Sequence, residues 1–280
     1  MGRVTARRPV VRVRDGEVSR RVDTLVAEEP LEIRLNGKPL AITMRTPGDD
    51  FALAVGFLVS EGVVADASDV SRIAYCAGAT ADGSNTYNVV DVRLAPGVPV
   101  PDITLERNVY TTSSAAVRQG QPGRGADTAR WPVAGPGPRL RPDVLSALPD
   151  ALRAAQGVFH QTGGLHAAGL FTPDGDVLDV REDVGRHNAV DKLVGRAYQQ
   201  GALPVRDTVL LVSGRASFEL VQKAVMAGIP ALAAVSAPSS LAVELAAETG
   251  LTLVGFLRGR SMNVYAGAER VVLEPSGSRN

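Results

Sequence analysis

The C-terminal half of the chain alternates short apolar segments with amphipathic ones, and this alternation restricts the fold more than any other feature. The apolar segments TVLLVS, PALAAVS and LTLVGF are separated by SFELVQKAVMAG and SSLAVELAAETG. Apolar runs of this length are typical of strands buried on both faces, and such strands need helices as their connections. The pattern therefore predicts an α/β fold with a parallel or mixed sheet sandwiched by helices.

The first hundred residues predict a smaller α+β unit. The segment LEIRLNGKPLAITMR (31–45) alternates on both sides of Asn36-Gly37, a pair that suits the positive φ angles of a tight hairpin turn. Two aspartates precede FALAVGFLVSEG, which has the spacing of a capped helix. Further strands are predicted over 9–14, 70–76 and 86–94.

Between the two units lies a segment that predicts neither helix nor central strand. Residues 119–142 contain five glycines and five prolines, and four arginines against one aspartate. We expect a mobile linker or flap here. After it, the sequence predicts a helix over 143–156, a hairpin from HAAGLF to DVLDVRED, and an amphipathic helix over 186–200.

The charge balance and the cysteine count exclude several classes of protein. Lys and Arg together number 30, as do Asp and Glu, so a general nucleic-acid or membrane-surface binder is not expected. A single cysteine, Cys76, excludes an internal disulfide and suits the cytoplasm. The longest clean apolar run, residues 51–59, is too short to span a bilayer, and no signal peptide is apparent.

Three predicted strand ends carry residues suited to binding phosphate. Ser213-Gly214-Arg215 follows TVLLV, a serine-rich turn at 236–240 follows PALAAV, and Arg258 and Arg260 flank a glycine in GFLRGRSMN (255–263). In α/β sheets ligands bind beyond the carboxyl ends of strands, where glycine lets the backbone approach and helix N–H groups attract anions. Each motif alone is also an ordinary turn, but three at one edge favour a phosphorylated ligand.

The segment REDVGRHNAVDK (181–192) holds the densest group of polar residues. His187 and Asp191 lie four positions apart on one helix face, as do Asn188 and Lys192. The segment is either a capped, ion-paired helix start or part of a binding site. The other histidines, His160 and His166, have no cysteine or histidine neighbours that would complete a zinc site, so no metal is expected.

Several stretches together resemble the formate dehydrogenase accessory sulfurtransferase family, called the FdhD family. They cover nearly the whole chain: TMRTPGDDFALAVGFLVSEG (43–62), RNVYTTSS (107–114), TGGLHAAGLF (162–171), EDVGRHNAVDK (182–192), SGRASFELVQKA (213–224) and GFLRGRSMNVY (255–265). The resemblance implies a cytidine-deaminase-like three-layer α/β/α domain over 143–280 and a smaller α+β subdomain over 1–106. Residues 107–142 would hold the sulfur-carrier loop and the flexible flap.

The resemblance also implies a function. Family members accept sulfur from a cysteine desulfurase as a persulfide and pass it to the molybdenum bis-guanine-dinucleotide cofactor destined for formate dehydrogenase. That cofactor would be bound cargo, and a homodimer is expected. The residues expected to contact it are Phe256, Leu257, Arg258, Gly259, Arg260 and Ser261, with Ser213, Gly214, Arg215, Arg186, His187, Asn188, Asp191 and Lys192.

One departure from the family pattern bears on the chemistry. The family follows its Ser-Ser pair with Cys-Gly-x-Cys-Gly, whereas this chain has Ala115 and Arg118 at the two cysteine positions. Neither side chain can carry sulfur, so no catalytic residue is assigned. Three hypotheses follow. The chain is an accessory protein that transfers sulfur through Cys76, the only remaining thiol, or a cofactor-binding chaperone without sulfur chemistry. The third is a decayed family member with neither activity.

Overall fold

The structure, a computed structural model, describes residues 4–76, 86–100 and 137–272. It begins with an antiparallel ribbon of β1 (Thr5–Arg14) and β2 (Glu17–Val26). The sequence predicts only a short strand over 9–14, because most residues of the ribbon are exposed and burial imposes little alternation on them. The turn Asp15-Gly16, with φ angles of 51° and 84°, was the available signal for a hairpin.

A four-stranded sheet forms the rest of the N-terminal unit, in the order β4-β3-β6-β5. Its strands are β3 (Glu29–Leu35), β4 (Lys38–Arg45), β5 (Val70–Tyr75) and β6 (Val89–Leu94), and a 3₁₀ turn at Ala67–Asp69 precedes β5. The predicted hairpin is confirmed, with Asn36 and Gly37 at φ angles of 51° and 81°. The other two predicted strands are confirmed as well.

The second sheet has six strands in the order β12-β11-β10-β9-β7-β8. They are β7 (His166–Phe171), β8 (Val177–Asp183), β9 (Val209–Val212), β10 (Ala231–Ala234), β11 (Thr252–Arg258) and β12 (Ser261–Ala266). β9, β10 and β11 are parallel, while the other pairs are antiparallel. The predicted mixed α/β fold is confirmed; its likeness to cytidine deaminases stays a prediction.

Helices cover both faces of this sheet. On one face, α2 (Pro142–Ala155) buries leucines 145, 148 and 152 against the strands. The other face carries α4 (Arg186–Gln199), α5 (Phe218–Met226) and α6 (Ser240–Thr249). A short helix, α3 (Gly157–Thr162), and a 3₁₀ turn at Ala268–Arg270 complete the described structure. None of the helices in the described ranges is long and apolar enough to cross a membrane.

The two units meet where α1 (Asp50–Ser60) crosses α4 at very short range. A Cβ atom built on Gly56 would lie 1.8 Å from the carbonyl oxygen of Asp191, and one built on Gly195 would lie 1.8 Å from that of Ala52. Only glycine allows the two backbones this close. Residues of both units belong to one continuous apolar core. The predicted domain boundary at 106–107 lies outside the described residues.

One predicted loop belongs to the sheet instead. The sequence places GFLRGRSMN (255–263) beyond the end of a strand, but β11 runs to Arg258 and β12 begins at Ser261. The segment is therefore a hairpin with Gly259 and Arg260 at its turn. An irregularity between Gly255 and Arg258, with Phe256 at a φ of 52°, lets the strand continue through a polar stretch.

Candidate functional site

The loops that follow β9 and β10 are joined by backbone hydrogen bonds. The Ser236 amide donates to the Gly214 carbonyl at 3.3 Å, and the Ala216 amide donates to the Ala237 carbonyl at 3.2 Å. Ser239 in turn donates its amide to Ala216 at 3.0 Å. The two strand ends therefore hold each other in position as one surface.

The β11–β12 hairpin joins the same surface. The Phe256 amide donates to the Ser236 carbonyl at 3.1 Å, and Nε of Arg258 donates to the Val235 carbonyl at 3.2 Å. The three predicted strand ends are thus contiguous. We refer to residues 213–217, 235–239 and 256–261 as the rim.

Most of the predicted binding residues on the hairpin are accessible. Arg258, Gly259, Arg260 and Ser261 are exposed, and the Phe256 side chain is 39% exposed. Leu257 is the exception, because it is fully buried in the core beneath α2. Among the predicted residues of the β9 loop, Arg215 is exposed while Ser213 and Gly214 are half-buried. The rim therefore presents three exposed guanidinium groups and an exposed aromatic ring.

A second group of polar side chains lies beside the rim, at the start of α4. His166 begins β7, and its Nδ1 lies 3.5 Å from Oγ of Ser213. Ser213 Oγ accepts the Ala167 amide at 2.9 Å, which ties the start of β7 to the end of β9. A Cβ atom on Gly214 would lie 3.6 Å from the His166 ring and 3.7 Å from Cδ of Arg186. His166 and Arg186 therefore flank the Gly214 backbone.

His187 contacts a carboxylate at the start of α5. Its Nε2 lies 2.8 Å from Oε2 of Glu219 and 3.2 Å from Oγ of Ser217. The hydrogen bond from His187 lowers the pKa of Glu219, whose carboxylate is therefore ionised at neutral pH. Burial lowers the pKa of His166, and the charge of Arg186 lowers it further. His166 is therefore expected to be neutral at pH 7.

Three other predicted residues of the 182–192 segment point into the interior. Lys192 Nζ lies 2.7 Å from Asp183 Oδ2 and donates to the Thr46 carbonyl at 2.8 Å. Asn188 donates Nδ2–H to the carbonyl of Met44 at 2.8 Å and to Asp183 Oδ1 at 3.0 Å. These bonds connect α4 to the N-terminal unit.

Asp191 completes this buried set. It accepts from Nζ of Lys223 at 2.7 Å and from Oγ of Ser60 at 2.8 Å. We refer to the buried contacts of Asn188, Asp191 and Lys192 as the joint, since they fasten α1 and the segment before it to the six-stranded sheet domain. The sequence predicts this segment as either an ion-paired helix start or part of a binding site. The ion pairs and hydrogen bonds of the helix start are present at Asn188, Asp191 and Lys192. Arg186 and His187 lie beside the rim, and ligand binding by them stays a prediction.

Two residues of the site carry weak sequence signals. His166 is not among the predicted binding residues, since no cysteine or histidine neighbour completes a zinc site around it. Glu219 occupies an ordinary position in the first turn of a helix. The available signal for His166 is its position at the start of a predicted strand. That signal points to the site only when the strand order is known, because the order places this strand start beside Ser213. Cys76 lies at the end of β5 on the four-stranded sheet, and Ala115 and Arg118 lie outside the described residues.

Known proteins resemble this chain over nearly its whole length. A family model described as FdhD/NarQ family matches residues 26–272. A protein named sulfur carrier protein FdhD from Streptomyces coelicolor is 75% identical over 276 residues, covering 98% of both chains. Another of that name from Mycobacterium tuberculosis is 55% identical over 275 residues, covering 97% of this chain and 100% of its own.

A solved structure shares the fold. The crystal structure described as a formate dehydrogenase accessory protein from Desulfotalea psychrophila superimposes with a TM-score of 0.73. The match covers 96% of this chain and 100% of the other, at 24% identity. At that identity the comparison supports the arrangement of helices and strands and does not extend to individual site residues.

Proposed function

This chain belongs to the FdhD/NarQ family, and on that premise we propose that it is an accessory protein of formate dehydrogenase maturation that binds a guanine-dinucleotide molybdenum cofactor on the rim. The family relatives are named sulfur carrier proteins. The cofactor is cargo, delivered to a dehydrogenase. A homodimeric state and a cytoplasmic location are parts of the same proposal, and a cysteine desulfurase is the sulfur donor in the version of it in which sulfur is carried.

One observation supports cofactor binding above all others. Three strand-end segments that are far apart in sequence lie against one another, and each brings polar or cationic groups to one edge of the sheet. Guanidinium groups and backbone amides are the groups that proteins use for diphosphates. Arg215, Arg258 and Arg260 are exposed there, and Phe256 offers an aromatic surface for a ring of the ligand.

Guanine nucleotide binding tests this proposal directly. We expect the purified chain to bind GDP in isothermal titration calorimetry, and Arg258→Met with Arg260→Met to weaken that binding. Arg206→Met is the matched control, because Arg206 is an exposed arginine at the opposite end of the six-stranded sheet, before β9. An unaltered affinity in the double variant would exclude the hairpin as the binding surface.

Whether sulfur is carried is a separate question, since neither Ala115 nor Arg118 can form a persulfide. The first candidate, transfer through Cys76, requires a thiol that is partly accessible, and Cys76 is half-buried. However, Cys76 lies at the end of β5 on the four-stranded sheet, while the rim belongs to the six-stranded sheet. Because neither Ala115 nor Arg118 has a thiol, we favour the second candidate, a chaperone that holds and delivers the cofactor without sulfur chemistry.

Labelled sulfur separates the two candidates. The chain is incubated with a cysteine desulfurase and ³⁵S-cysteine, and protein-bound persulfide is measured for the wild type and for Cys76→Ala. A label that disappears in Cys76→Ala supports transfer through that thiol. Nucleotide binding without label supports the chaperone.

A further inference from the structure

The β1–β2 ribbon forms a sheet of its own. Within the described ranges its two strands pair only with each other, and most of their residues are exposed. Two antiparallel strands alone are marginally stable in water, and sheets of three or more strands are the usual form. One side of the ribbon also carries four valines that are 59% to 69% exposed, namely Val11, Val13, Val18 and Val22. The ribbon is therefore a candidate surface for contact with another chain.

The register of the ribbon decides which backbone groups point away from it. The Ala27 amide donates to the Val4 carbonyl at 2.8 Å, and this pair extends the register of the ribbon by one step. Hydrogen-bonded and non-hydrogen-bonded positions alternate along an antiparallel pair. The even-numbered residues of β2 are therefore at non-hydrogen-bonded positions. Their N–H and C=O groups point to the outer edge of β2, the side away from β1, and they include Arg20, Val22 and Thr24.

The two outer edges of the ribbon differ. On β1, Pro9 lies at an outward position and has no N–H, so that edge lacks a donor near its centre. The outer edge of β2 has no proline, and no partner of the outward groups of Arg20 and Val22 is found among the described residues. The amide of Thr24 donates to Oδ1 of its neighbour Asp23 at 2.9 Å. β2 is therefore the edge to which another strand can be added.

The sequence of β2 is complementary to itself about Val22. When two copies of β2 pair antiparallel around a two-fold axis at Val22, Arg21 of each copy lies opposite Asp23 of the other. Both side chains are exposed, and opposite charges at facing positions stabilise a strand pair. An axis one residue earlier or later would instead place Arg21 opposite Arg21, or Asp23 opposite Asp23. The charge pattern therefore favours the register centred on Val22.

We propose that the outer edge of β2 is a homodimer interface, at which two copies of this chain join their ribbons into one four-stranded antiparallel sheet. At the axis, Val22 of each copy exchanges its N–H and C=O hydrogen bonds with Val22 of the other. The outer strands of the new sheet are both β1, whose edges lack a donor at Pro9, so assembly ends at two copies. The inference rests on the homodimeric state in the proposed function, and it does not depend on nucleotide binding at the rim.

Charge exchange tests the register. Arg21→Asp places carboxylates opposite each other and Asp23→Arg places guanidinium groups opposite each other, so each variant alone should raise the dimer dissociation constant about tenfold or more. The two substitutions in one chain should restore the dimer. An equimolar mixture of the two single variants should form a heterodimer, because each supplies the charge that the other lacks. Arg12→Asp is the matched control, since it makes the same change of charge on β1.

A proline substitution tests the backbone contact. The Val22 amide is not bonded within the ribbon, so Val22→Pro should preserve β1–β2 pairing while it removes the central hydrogen bonds of the dimer. The expected result is again a dissociation constant at least about tenfold higher. Val11→Pro is the matched control, because the Val11 amide is also outward but lies on the edge of β1.

Sedimentation velocity of the full chain over a range of concentrations measures the dimer, and far-UV circular dichroism checks the fold of each variant. A dimeric wild type that dissociates in Arg21→Asp and Val22→Pro, but not in the two controls, supports the interface. A dimer that persists in both variants overturns it and leaves the homodimeric state to another surface. A monomeric wild type overturns the interface and the homodimeric state together, while GDP titration of the same sample tests cofactor binding separately.

Discussion

The joint and the group of polar side chains beside the rim share the eleven-residue stretch 182–192, and they use charge in opposite ways. In the joint, Asp183 and Lys192 are 0% and 2% exposed, and each has its charge matched by a partner at hydrogen-bonding distance. Beside the rim, Arg186 is half-buried, and its Nε has no hydrogen-bond partner among the described residues. One helix thus presents a satisfied face to the interior and an unsatisfied end to a candidate ligand.

This difference shows how to distinguish charged residues that stabilise the fold from charged residues that are candidates for ligand binding, even where both occur in one short segment. A buried ion pair is costly to break because the remaining charge stays out of water, so its members are fixed by the fold. An exposed guanidinium group costs the folded protein little when it is removed. Stability measurements should therefore report on the joint, and ligand measurements should report on the rim.

The largest expected effect comes from the helix crossing that supports the joint. Gly195→Ala places a methyl group 1.8 Å from the Ala52 carbonyl oxygen, so α1 and α4 must separate. We expect a loss of stability on the order of 4 kcal/mol in urea unfolding, at the upper end for point substitutions. Gly157→Ala is the control, since nothing lies within 4 Å of its added methyl group. Similar stability of the two variants would contradict the close crossing.

Breaking the buried ion pair of the joint should have the next largest effect. Lys223→Met leaves Asp191, which is 3% exposed, without its cation. We expect a loss of about 3 kcal/mol, and a recovery of most of it when Asp191→Leu is added, because a buried pair is replaceable by apolar residues as a unit. A double variant less stable than the single one would show that the pair is not the source of the effect.

At the rim we expect the opposite outcome. Arg258→Met with Arg260→Met should change unfolding stability by no more than about 0.5 kcal/mol, because both side chains are exposed. The same variant should lose GDP affinity in calorimetry. A large stability loss would assign these arginines to the fold, and the contrast between the two regions would not hold.

The smallest expected effect concerns pH. The pKa of His166 is lowered below its ordinary value of 6.5, so over the interval between the folded and unfolded pKa values the unfolded chain binds more protons. The stability contribution of neutral His166 is present above the unfolded value and is lost as the pH falls through the folded one. Urea unfolding between about pH 7.5 and pH 5 should therefore show a smaller loss for His166→Gln than for the wild type.

The wild type and the His166→Gln variant share every other group that titrates in this pH range, including Glu219. Glu219, whose pKa is also lowered, contributes to acid destabilisation in the same direction, and it remains in both proteins. The difference between the two unfolding profiles therefore isolates His166. Parallel profiles would mean that His166 titrates normally in the folded protein.

Much of the fold could be predicted because its signals are local. The Asn36-Gly37 turn and the apolar runs of β9, β10 and β11 each act within a few residues, through φ preferences and burial on both faces. The β1–β2 ribbon was underestimated, since most of it is exposed. The β11–β12 hairpin was taken for a loop because its polar residues conceal a strand that continues through a bulge.

The candidate site was predictable only in part, for a different reason. Arg258 and Arg260 could be predicted from the sequence because they flank a glycine in a basic motif. His166, in contrast, joins the candidate site only because β7 lies beside β9. Leu257 lies between Phe256 and Arg258, which are both exposed, but its own side chain is buried in the core. Alternation along a strand decides such orientations, and a bulge shifts the alternation in a way the sequence does not mark.

The sequence by itself determined the kind of fold and the family, and it predicts a phosphorylated ligand, because alternation, turns and local motifs act over a few residues. The tertiary structure alone decided which charges are free. Asp191 is occupied by Lys223, a residue 32 positions away, and Lys192 by Asp183 and a carbonyl of the N-terminal unit. Arg186, only a few residues earlier, has a buried nitrogen with no hydrogen-bond partner in the part of the chain that the structure describes. Pairing of this kind depends on distances in space, which no single sequence pattern specifies.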